Sequence, residues 1–491
     1  MNAPAGLFSP VDRWDQELLA QVRPSDWPTP TPKSRYDLVV IGGGTAGLSC
    51  AALAARLGSS VAIVERRLLG GETLNVGCVP SKSLVRAGRA VRAVRDAGLF
   101  GIRAGTPVVD FGALMERMRR VRATIAGRNA AVRLAGIGVD VFYGDATFIG
   151  ADTIEVDGAR LHFSRAVLAT GSRPSIPPVA GLDTAGFHTN DTIFGLTELP
   201  ARLVVLGGGS VGCELAQAFR RFGSEVTIIT AEPRLLPSED ADAAAIVARR
   251  FGEEGIEMYF GENIDRVERK DGTRVLHHPG GPTRADVLLV ATGRVPAFDA
   301  LGLDVAGIAW DARGVQTDDM LRTTNARVYT AGDIGGRWQY THAAEAMARL
   351  VVRNAMLPGS RTVDELVIPS CTFTDPEIAR VGRHLGRTFR VDLSEVDRAV
   401  IDGDTEGFAR VTVGRGGRIR GATFVARNAG ELVGEAALAM SAGLGMEALE
   451  LAVHPYPTTS GLYRQLADAW ARGRVTRRAR VLAQVWMRMA R

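Results

Sequence analysis

The feature that most constrains this fold is a pattern that occurs twice: an apolar strand, a glycine-rich turn, a helix and a second strand. The two copies span residues 38–65 and 203–230. In this pattern the first glycine allows a tight turn, the second lets a pyrophosphate approach the backbone, and the third lets helix and strand pack closely. Glycines that serve turns alone are the alternative, but two copies in the same context predict two dinucleotide-binding domains. The matching residues are Gly42, Gly44 and Gly47 in the first copy and Gly207, Gly209 and Gly212 in the second.

Length and composition exclude several classes of protein. The chain has 491 residues, too many for one hydrophobic core, so about three domains are expected. Its 59 basic and 54 acidic side chains give a net charge of +5, and no basic stripe is interleaved with aromatic residues, which argues against nucleic-acid binding. Four cysteines are too few for the disulfide framework of a secreted domain. No signal-peptide pattern or membrane-spanning run is visible, so we predict a cytoplasmic location.

The two ends of the chain differ from its centre. Residues 1–35 are rich in proline and polar residues and predict a surface extension with one short helix at about 12–22. Beyond about residue 366, strands such as 409–413 and 418–425 alternate with helices such as 432–441, which predicts a separate α+β domain. From Arg472 onward the tail has seven arginines and no acidic residue. Such an amphipathic helix packs on its own protein or lies on a membrane surface, and we favour packing.

Residues 70–82 read Gly-Gly-Glu-Thr-Leu-Asn-Val-Gly-Cys-Val-Pro-Ser-Lys. This run resembles the redox-active segment of the flavoprotein disulfide reductases, written GGxCLNVGCVPSK. In that family two cysteines separated by four residues form the disulfide that the flavin reduces. Here Cys78 stands at the second cysteine position, whereas Thr73 stands at the first. The resemblance therefore implies the scaffold of a disulfide reductase without its relay disulfide.

The resemblance extends over about residues 36 to 465, to the class I pyridine nucleotide–disulfide oxidoreductases. This family includes dihydrolipoyl dehydrogenase, glutathione reductase and mercuric reductase, and the glycine run, the N-terminal extension and the basic tail look nearest to the mercuric-reductase-like branch. The further matching runs are Ala169-Thr-Gly171, Ala291-Thr-Gly-Arg294, Tyr329-Thr-Ala-Gly-Asp333 and Phe373-Thr-Asp-Pro-Glu-Ile-Ala379.

The family pattern implies an α/β homodimer with two Rossmann-like dinucleotide-binding domains and a C-terminal α+β dimerisation domain. The expected domains are an N-terminal extension at 1–35, an FAD-binding domain at 36–190 and 296–365, an NAD(P)-binding domain at 191–295, a dimerisation domain at 366–465 and a basic C-terminal helix at 466–491. In the family Asp333 would bind the ribityl chain of FAD. The other cofactor-binding positions that we carry over are Gly71, Thr170, Gly171, Gly293 and Gly332.

The residue that ends each second strand indicates which dinucleotide each unit binds. Glu65 ends the first unit, and a carboxylate there accepts hydrogen bonds from both ribose hydroxyls while repelling a ribose phosphate. Because the redox segment follows directly, we assign FAD to this unit. In the second unit the position is Thr230, with Arg234 favouring the 2′-phosphate of NADPH and Glu232 arguing for NADH. We predict NADPH there, with NADH as the alternative.

The C-terminal acid–base motif of the family, HPTxSE, is also altered. The segment reads His454-Pro-Tyr-Pro-Thr-Thr-Ser-Gly461, so that Tyr456 replaces the histidine and Gly461 replaces the glutamate. A tyrosine with a pKa near 10 is a poor base at neutral pH. His454 has no visible orienting carboxylate in the sequence, and we interpret it as a surface or interface histidine. Mercuric reductases also resemble this chain in having tyrosine there, but they add a terminal cysteine pair that this tail lacks.

The remaining catalytic residues suit a flavin enzyme. By the family pattern Cys78 lies against the flavin, and Lys82, one of only three lysines, pairs with Glu214 near it. Cys50 and Cys213 follow the glycine loops and are predicted to be inert core thiols. We therefore predict catalytic roles for Cys78, Lys82, Glu214 and Tyr456, and no resident metal site.

Three functions remain open from the sequence. The preferred one is an FAD-dependent NAD(P)H oxidoreductase that passes electrons directly to a small acceptor, such as a quinone or metal ion, or runs in reverse as a dehydrogenase. The second is a peroxidase or thiol-disulfide reductase that uses Cys78 alone. The third is a flavin-binding protein without activity. Retention of Cys78, Lys82, Glu214 and Asp333 favours an enzyme.

Overall fold

The computed structural model describes residue 8, residues 11–473 and residues 477–490. Residues 1–7, 9–10, 474–476 and 491, which belong to the predicted N-terminal extension and basic tail, lie outside the described residues. The chain divides into two compact units. Unit 1 comprises Met1–Ser238 and Phe251–Leu366, and unit 2 comprises Glu239–Arg250 and Val367–Arg491.

A largely parallel sheet carries the first nucleotide unit. Its parallel strands lie in the order Val139–Tyr143, Val61–Glu65, Tyr36–Ile41, Ala159–Leu168 and Val328–Thr330. The antiparallel strands Thr153–Val156 and Ala146–Gly150 extend it beside the first half of Ala159–Leu168. The strand Tyr36–Ile41 is buried except at Asp37, as expected for a strand that is covered on both faces. The carboxyl ends of these strands bring the motif residues after Ile41, Leu168 and Thr330 to one edge.

A second parallel sheet repeats this arrangement in the middle of the chain. Its order is Glu257–Phe260, Glu225–Thr230, Arg202–Leu206 and Val287–Val290. An antiparallel sheet of Arg266–Lys270, Thr273–His277 and Thr283–Ala285 accompanies it. The chain enters this region through the strand Ser172–Pro174 and leaves it through Arg294–Pro296, and these two strands pair with each other. We call them the two connecting strands.

The helices of unit 1 surround these sheets. The longer ones are Arg13–Val22, Thr45–Arg56, Cys78–Arg95, Phe111–Ala126, Ser210–Phe222 and Thr341–Met356, and the shorter ones are Gly71–Asn75, Ala131–Gly136 and Leu182–Ala185. A small pair of strands, Trp310–Asp311 and Gly314–Val315, precedes Val328–Thr330. The helix Ala241–Glu253 runs from the segment 239–250 of unit 2 into unit 1.

Unit 2 is built on an antiparallel sheet of five strands. Their order is Ser370–Thr372, Glu377–Gly382, Ile419–Ala426, Phe408–Val413 and Arg387–Asp392. Its helices are Asp397–Asp402, Ala429–Ser441, Met446–Leu451, Leu462–Arg472 and Arg477–Met489. Phe424 and Tyr463 pack in its core with ring centroids 5.4 Å apart. The predicted α+β character of this region is therefore confirmed.

The N-terminal helix is more firmly attached than a surface extension would be. Asp12 caps the helix Arg13–Val22 by accepting hydrogen bonds from the Trp14 and Asp15 amides. The side chains of Asp15 and Arg122 form an ion pair in which each is only 2% exposed. Arg122 also donates to the backbone oxygen of Asn75, in the redox segment, at 2.8 Å. The prediction of a helix here is confirmed, and the helix lies at the surface with one face exposed and the other anchored by this buried ion pair.

The described helices include none with the length and apolar character needed to cross a bilayer. The C-terminal helix Arg477–Met489 exposes the apolar side chains Leu482, Trp486 and Met489. Its predicted packing against the rest of the chain is therefore not seen for these three residues.

Candidate active site

The first glycine loop has the geometry of a pyrophosphate cradle. Gly42 has a φ of +105°, and a Cβ there would lie 2.4 Å from the Ala169 oxygen. A Cβ on Gly47 would lie 1.8 Å from the Gly42 oxygen. At Gly44, in contrast, the nearest atom to a Cβ would be the Gly71 Cα at 3.8 Å. Gly42 and Gly47 are thus required by the protein itself, whereas Gly44 faces space that suits a ligand.

The second glycine loop repeats this geometry. Gly207 has a φ of +106°, and a Cβ there would lie 2.4 Å from the Ala291 oxygen. A Cβ on Gly212 would lie 2.3 Å from the Gly207 oxygen, whereas a Cβ on Gly209 would meet nothing within 4 Å. Gly44 and Gly209 are also the N-caps of the helices that follow, and neither supplies a capping side chain. Both helix N-termini therefore fit a dinucleotide pyrophosphate, which N–H groups and the helix dipole stabilise.

Glu65 is held directly beneath the first loop. Its two carboxylate oxygens accept hydrogen bonds from the Gly43 and Arg67 amides, each at 2.6 Å. Burial raises the pKa of Glu65, and these two amides oppose that shift. The position at the end of Val61–Glu65 suits the predicted contact with a ribose, because each carboxylate oxygen retains a further lone pair.

Other predicted FAD positions follow strands of the first sheet, except Gly293, which follows the strand Val287–Val290 of the second sheet. The Thr170 hydroxyl donates to the Ala297 oxygen at 2.5 Å. Gly171 and Gly293 both have positive φ, and a Cβ on either would meet nothing within 4 Å. Gly332 also has positive φ, and Asp333 accepts a hydrogen bond from the Ser172 hydroxyl at 2.5 Å. Burial raises the pKa of Asp333, with Ser172 and Arg294 opposing it.

The second loop shows how Arg234 is used. Its guanidinium donates to the backbone oxygens of its own turn, at 3.2 Å to Leu235, 2.7 Å to Leu236 and 2.9 Å to Pro237. The Thr230 hydroxyl accepts a hydrogen bond from the Glu232 amide at 3.2 Å. These contacts hold the guanidinium in its own turn and reduce its capacity to bind a 2′-phosphate, so the sequence argument for NADPH loses weight.

Thr73 and Cys78 have a common neighbour. The Thr73 hydroxyl lies 2.9 Å from the Thr341 hydroxyl, and Cys78 Sγ lies 3.5 Å from the same oxygen. The Thr45 hydroxyl donates to Thr73 at 3.3 Å. Cys78 begins the helix Cys78–Arg95 and is an exposed free thiol. Hydroxyl groups therefore surround the position where the family has its distal thiol.

No other cysteine replaces that thiol. All four cysteines are free. Cys50 and Cys213 are fully buried, and burial raises the pKa of each thiol, that of Cys50 to about 12. Cys371 belongs to unit 2, where its Sγ lies 3.8 Å from a Glu377 oxygen. The prediction of inert core thiols at Cys50 and Cys213 agrees with their burial.

Lys82 and Glu214 form the ion pair that the sequence predicts. Lys82 Nζ lies 2.6 Å from Glu214 Oε2. Glu214, in the helix Ser210–Phe222, is 4% exposed, whereas Lys82 is 33% exposed. The pair joins the redox helix Cys78–Arg95 to the helix of the second glycine loop, and it holds an ammonium group four residues after Cys78.

The C-terminal motif contains two carboxylate contacts that the sequence did not reveal. The exposed Tyr456 hydroxyl donates to Asp397 at 3.0 Å, and this carboxylate raises the pKa of Tyr456. His454 Nε2 lies 3.0 Å from Glu435 Oε1, and its ring stacks on Tyr463. The expectation that His454 lacks an orienting carboxylate is therefore wrong, because Glu435 comes from the helix Ala429–Ser441. A higher pKa leaves even less of the tyrosine ionised at neutral pH, so less of it is available as a general base.

Two groups of site residues were missed by the sequence interpretation. Thr341 lies eight residues after Asp333, and only its position at the start of a helix could have drawn attention to it. Glu72 occupies the variable position of the redox motif and forms an ion pair with Arg294. An acidic residue between Gly71 and Thr73 was a visible signal. Within the described residues, no group of three or more His, Cys, Asp or Glu side chains is arranged to hold a metal ion.

Comparisons with known proteins match nearly the whole chain. Residues 36–348 match the family model of the pyridine nucleotide-disulphide oxidoreductases, and residues 368–467 match that of their dimerisation domain. The chain is 38% identical to a mercuric reductase from Streptomyces lividans over 460 residues, covering 89% of this chain and 96% of that protein. It is 33% identical to a dihydrolipoyl dehydrogenase from Geobacillus stearothermophilus over 451 residues, covering 88% and 95%.

Solved structures show the same fold. The Cu(II) complex of the HOCl-induced flavoprotein disulfide reductase RclA from Escherichia coli matches with a TM-score of 0.80 and 27% identity, covering 89% of this chain and 99% of that one. LpdA from Mycobacterium tuberculosis matches with a TM-score of 0.81 and 26% identity, covering 88% and 99%. The predicted architecture of two dinucleotide-binding domains and a dimerisation domain is confirmed.

Proposed function

Since the chain belongs to the pyridine nucleotide-disulphide oxidoreductase family, on its mercuric-reductase-like side, we propose that it is an NAD(P)H oxidoreductase that reduces a small acceptor without a relay disulfide. Members of this family are FAD-dependent enzymes with NAD(P)H as electron donor, and this membership makes the chain an oxidoreductase. The direct route to the acceptor is our proposal.

The observation that carries the proposal is the environment of Thr73. Its hydroxyl is hydrogen-bonded to the hydroxyls of Thr341 and Thr45. The position of the family's distal thiol therefore holds a group that cannot form a disulfide. Cys50 and Cys213 are buried elsewhere in unit 1, at helices that follow the glycine loops. A two-cysteine cycle within this segment therefore has no second sulfur.

The cofactor assignment rests on the two glycine loops. The first loop, with Glu65, fits FAD, and the second fits NADPH or NADH. FAD, when bound, accepts a hydride from NAD(P)H and delivers two electrons to a second acceptor. With a quinone, the balanced reaction is NAD(P)H, one proton and quinone giving NAD(P)⁺ and hydroquinone.

The chain's own residues have limited roles in this proposal. Lys82, oriented by Glu214, supplies positive charge near Cys78, and such charge stabilises an anion that develops beside it. Tyr456 and Gly461 replace the acid–base pair, so the proton for the acceptor is expected to come from solvent. Quinones, which can take their protons from water, and metal ions, which need no proton on reduction, fit this arrangement better than disulfides.

An anaerobic titration of the purified protein tests the proposal. NADPH and then NADH are added in steps while the flavin absorbance is followed. Bleaching after one two-electron equivalent supports a flavin enzyme with no second redox centre. Consumption of a further equivalent would show that Cys78 has an oxidised partner, and the proposal would fail.

A second measurement separates direct electron transfer from chemistry at Cys78. We expect Cys78→Ser to retain most of the NAD(P)H-dependent reduction of an artificial quinone, because the sulfur is not on the electron path. Loss of most of that rate would contradict the proposal. Reduction of the same quinone by wild-type protein under identical conditions is the reference.

One observation favours a second candidate function. Cys78 is exposed and has the Thr341 hydroxyl 3.5 Å away, so a peroxide or small disulfide could reach it. This candidate is a peroxidase or thiol-disulfide reductase that cycles through a sulfenic acid or mixed disulfide at Cys78. It predicts that a sulfenate probe labels the wild type after peroxide treatment and that Cys78→Ser abolishes peroxide turnover.

A further inference from the structure

Glu72 forms a connected group of contacts at the predicted FAD site. It lies in the short helix Gly71–Asn75, next to Thr73. One of its carboxylate oxygens forms an ion pair with Arg294, and the other accepts a hydrogen bond from the Asn190 amide at 3.2 Å. Arg294 lies in one of the two connecting strands. Glu72 thus ties the redox segment to the point where the chain returns from the second nucleotide unit.

The contacts continue from Arg294 to Asp333. Arg294 Nε donates to the Ser172 hydroxyl at 2.8 Å, and Nη2 donates to the Ser172 backbone oxygen at 2.9 Å. The Ser172 hydroxyl donates in turn to Asp333 Oδ2 at 2.5 Å. Glu72, Arg294, Ser172 and Asp333 therefore form one chain of hydrogen bonds, which we call the Glu72 relay. It ends on the carboxyl that we propose for the ribityl chain.

Negative charge is concentrated around Glu72. The carboxyls of Asp333 and Asp191 face it, and the opposing charges are Arg294 and, 3.5 Å from Asp191, Arg67. Burial, together with Asp333 and Asp191, raises the pKa of Glu72 to about 7, although Arg294 acts in the other direction. The bound cofactor would add the charge of its pyrophosphate. Additional negative charge nearby favours the protonated carboxyl.

We infer that Glu72 is a positioning residue for the cofactor, which orients Asp333 through Arg294 and Ser172 and takes up a proton from solvent when FAD binds. The inference rests on the proposed FAD site and goes beyond it, because Glu72 occupies the variable position of the redox motif. Because the complex with FAD binds more protons than the free protein, FAD affinity is highest at low pH and falls as the pH rises through about 7.

The test measures FAD release from the purified holoenzyme. The protein is diluted at pH values from about 6 to about 8.5, and free flavin is followed by its fluorescence. For the wild type we expect the dissociation constant to rise about three- to tenfold over this range, since one linked proton allows at most a tenfold change per pH unit. Glu72→Gln keeps the shape of the side chain but cannot titrate, so its dissociation constant should change clearly less with pH than that of the wild type, the carboxyls of Glu65 and Asp333 being unchanged.

Two further variants complete the design. Glu155→Gln makes the same change in a surface ion pair with Arg160 and should behave like the wild type. Glu72→Asp retains a titrating carboxyl, so it should preserve the pH dependence even if its affinity is lower. If Glu72→Gln loses FAD at every pH, the pH dependence of FAD binding by Glu72→Asp decides whether Glu72 takes up the proton.

The outcomes separate this inference from the proposed function. A Glu72→Gln protein that binds FAD with the wild-type pH profile would overturn the role of Glu72 and leave the proposed function intact. A dissociation constant for FAD that does not change with pH in Glu72→Asp would also overturn the role of Glu72. Wild-type protein that takes up no FAD at any pH would remove the proposed function, and this inference with it.

Discussion

At the scale of single residues, Thr73 is the position that most changes the chemistry of this chain. Its hydroxyl and Cys78 Sγ both contact Thr341, at 2.9 and 3.5 Å, so the two positions face one side-chain oxygen. Thr73 and Cys78 therefore stand where the family has its two thiols, but the Thr73 hydroxyl replaces the first sulfur. A single substitution can test whether the remaining structure still supports a disulfide.

We expect Thr73→Cys to create a disulfide with Cys78. In the anaerobic titration this variant should consume one NAD(P)H equivalent more than the wild type, because the new disulfide accepts two electrons. Thr73→Ser is the matched control and should titrate like the wild type. Unchanged stoichiometry in Thr73→Cys would mean that the two side chains cannot meet, and the proposed equivalence of the positions would be wrong.

Substitution by alanine should have different effects on stability and on nucleotide binding at two glycines of the second loop, Gly209 and Gly207. Gly209→Ala places a methyl group where no protein atom lies within 4 Å, so stability should change little. The methyl group would occupy the space proposed for the pyrophosphate, and we expect the KM for NAD(P)H to rise about tenfold or more, equivalent to about 1.4 kcal/mol of binding. Steady-state kinetics and thermal unfolding measure the two effects.

Gly207→Ala provides the contrast. Its φ of +106° and the 2.4 Å approach to the Ala291 oxygen both oppose a side chain. This variant should unfold at a clearly lower temperature than Gly209→Ala. Equal melting temperatures for the two variants would contradict the assignment of separate structural and binding roles.

The sequence predicted some residues of the site and missed others for a physical reason. Lys82 and Glu214 were found because both belong to motifs with a known arrangement. The contact between Thr73 and Thr341 spans 268 residues, and neither residue signals the other. Arg234 was assigned to a phosphate from its position alone, whereas its guanidinium bonds to its own turn. Side-chain contacts that depend on tertiary folding were beyond the sequence patterns.

At the scale of elements, the strands and helices could be predicted from the sequence because apolar runs mark strands and glycines mark the starts of helices. The strand predicted from Tyr36 to Ile41 has those limits in the structure, and the predicted strand 418–425 differs by one residue at each end from Ile419–Ala426. The N-terminal helix was also predicted, but its buried ion pair was not. Asp15 and Arg122 are 107 residues apart in the chain, so only the fold brings them together.

This ion pair leads to a prediction about stability. Asp15→Ala leaves the guanidinium of Arg122 buried without its carboxylate, and we expect the free energy of unfolding to fall by about 3 kcal/mol. Arg13→Ala is the control, since it removes an exposed pair with Glu116 and should change the free energy of unfolding far less than Asp15→Ala does. Denaturant unfolding measures both. Equal effects would show that the N-terminal helix contributes through its surface contacts alone.

At the scale of the whole molecule, the segment 239–250 belongs to unit 2 although it lies inside the predicted NAD(P)-binding domain. Asp240 accepts hydrogen bonds from Thr423 at 2.7 Å and from Arg410, and it lies 3.3 Å from His384 Nε2. Asp242 lies 2.9 Å from Arg390 and 2.8 Å from Arg410. Because these partners are more than 140 residues away in the chain, domain boundaries read from the sequence could not include this segment.

The charge of Asp240 makes its contribution depend on pH. The hydrogen bond with His384, followed by those with Thr423 and Arg410, lowers the pKa of Asp240, although burial opposes this. A carboxyl whose pKa is lower in the folded state stabilises the protein at pH values above the pKa of that group in the unfolded chain. This stabilisation is lost as the pH falls through the pKa of the group in the folded state. We expect Asp240→Asn to lower the free energy of unfolding by about 2 kcal/mol at neutral pH.

The difference between Asp240→Asn and the wild type should narrow as the pH falls below about 4. Denaturant unfolding at several pH values provides the measurement. Asp392→Asn, which alters an exposed pair with Arg390, is the control and should have a small effect. A constant difference across the pH range would mean that the carboxylate charge contributes nothing.

The same segment limits how this protein could have been assembled in evolution. The polypeptide passes between the two units after Ser238, after Arg250 and after Leu366, so no single cut releases either unit whole. A gene fragment that begins at Val367 would encode Arg380 and Arg410 but not Glu239 or Asp240, their carboxylate partners. A dimerisation domain that began at Val367 would therefore lack these two carboxylates, which the chain supplies from a segment more than 110 residues earlier.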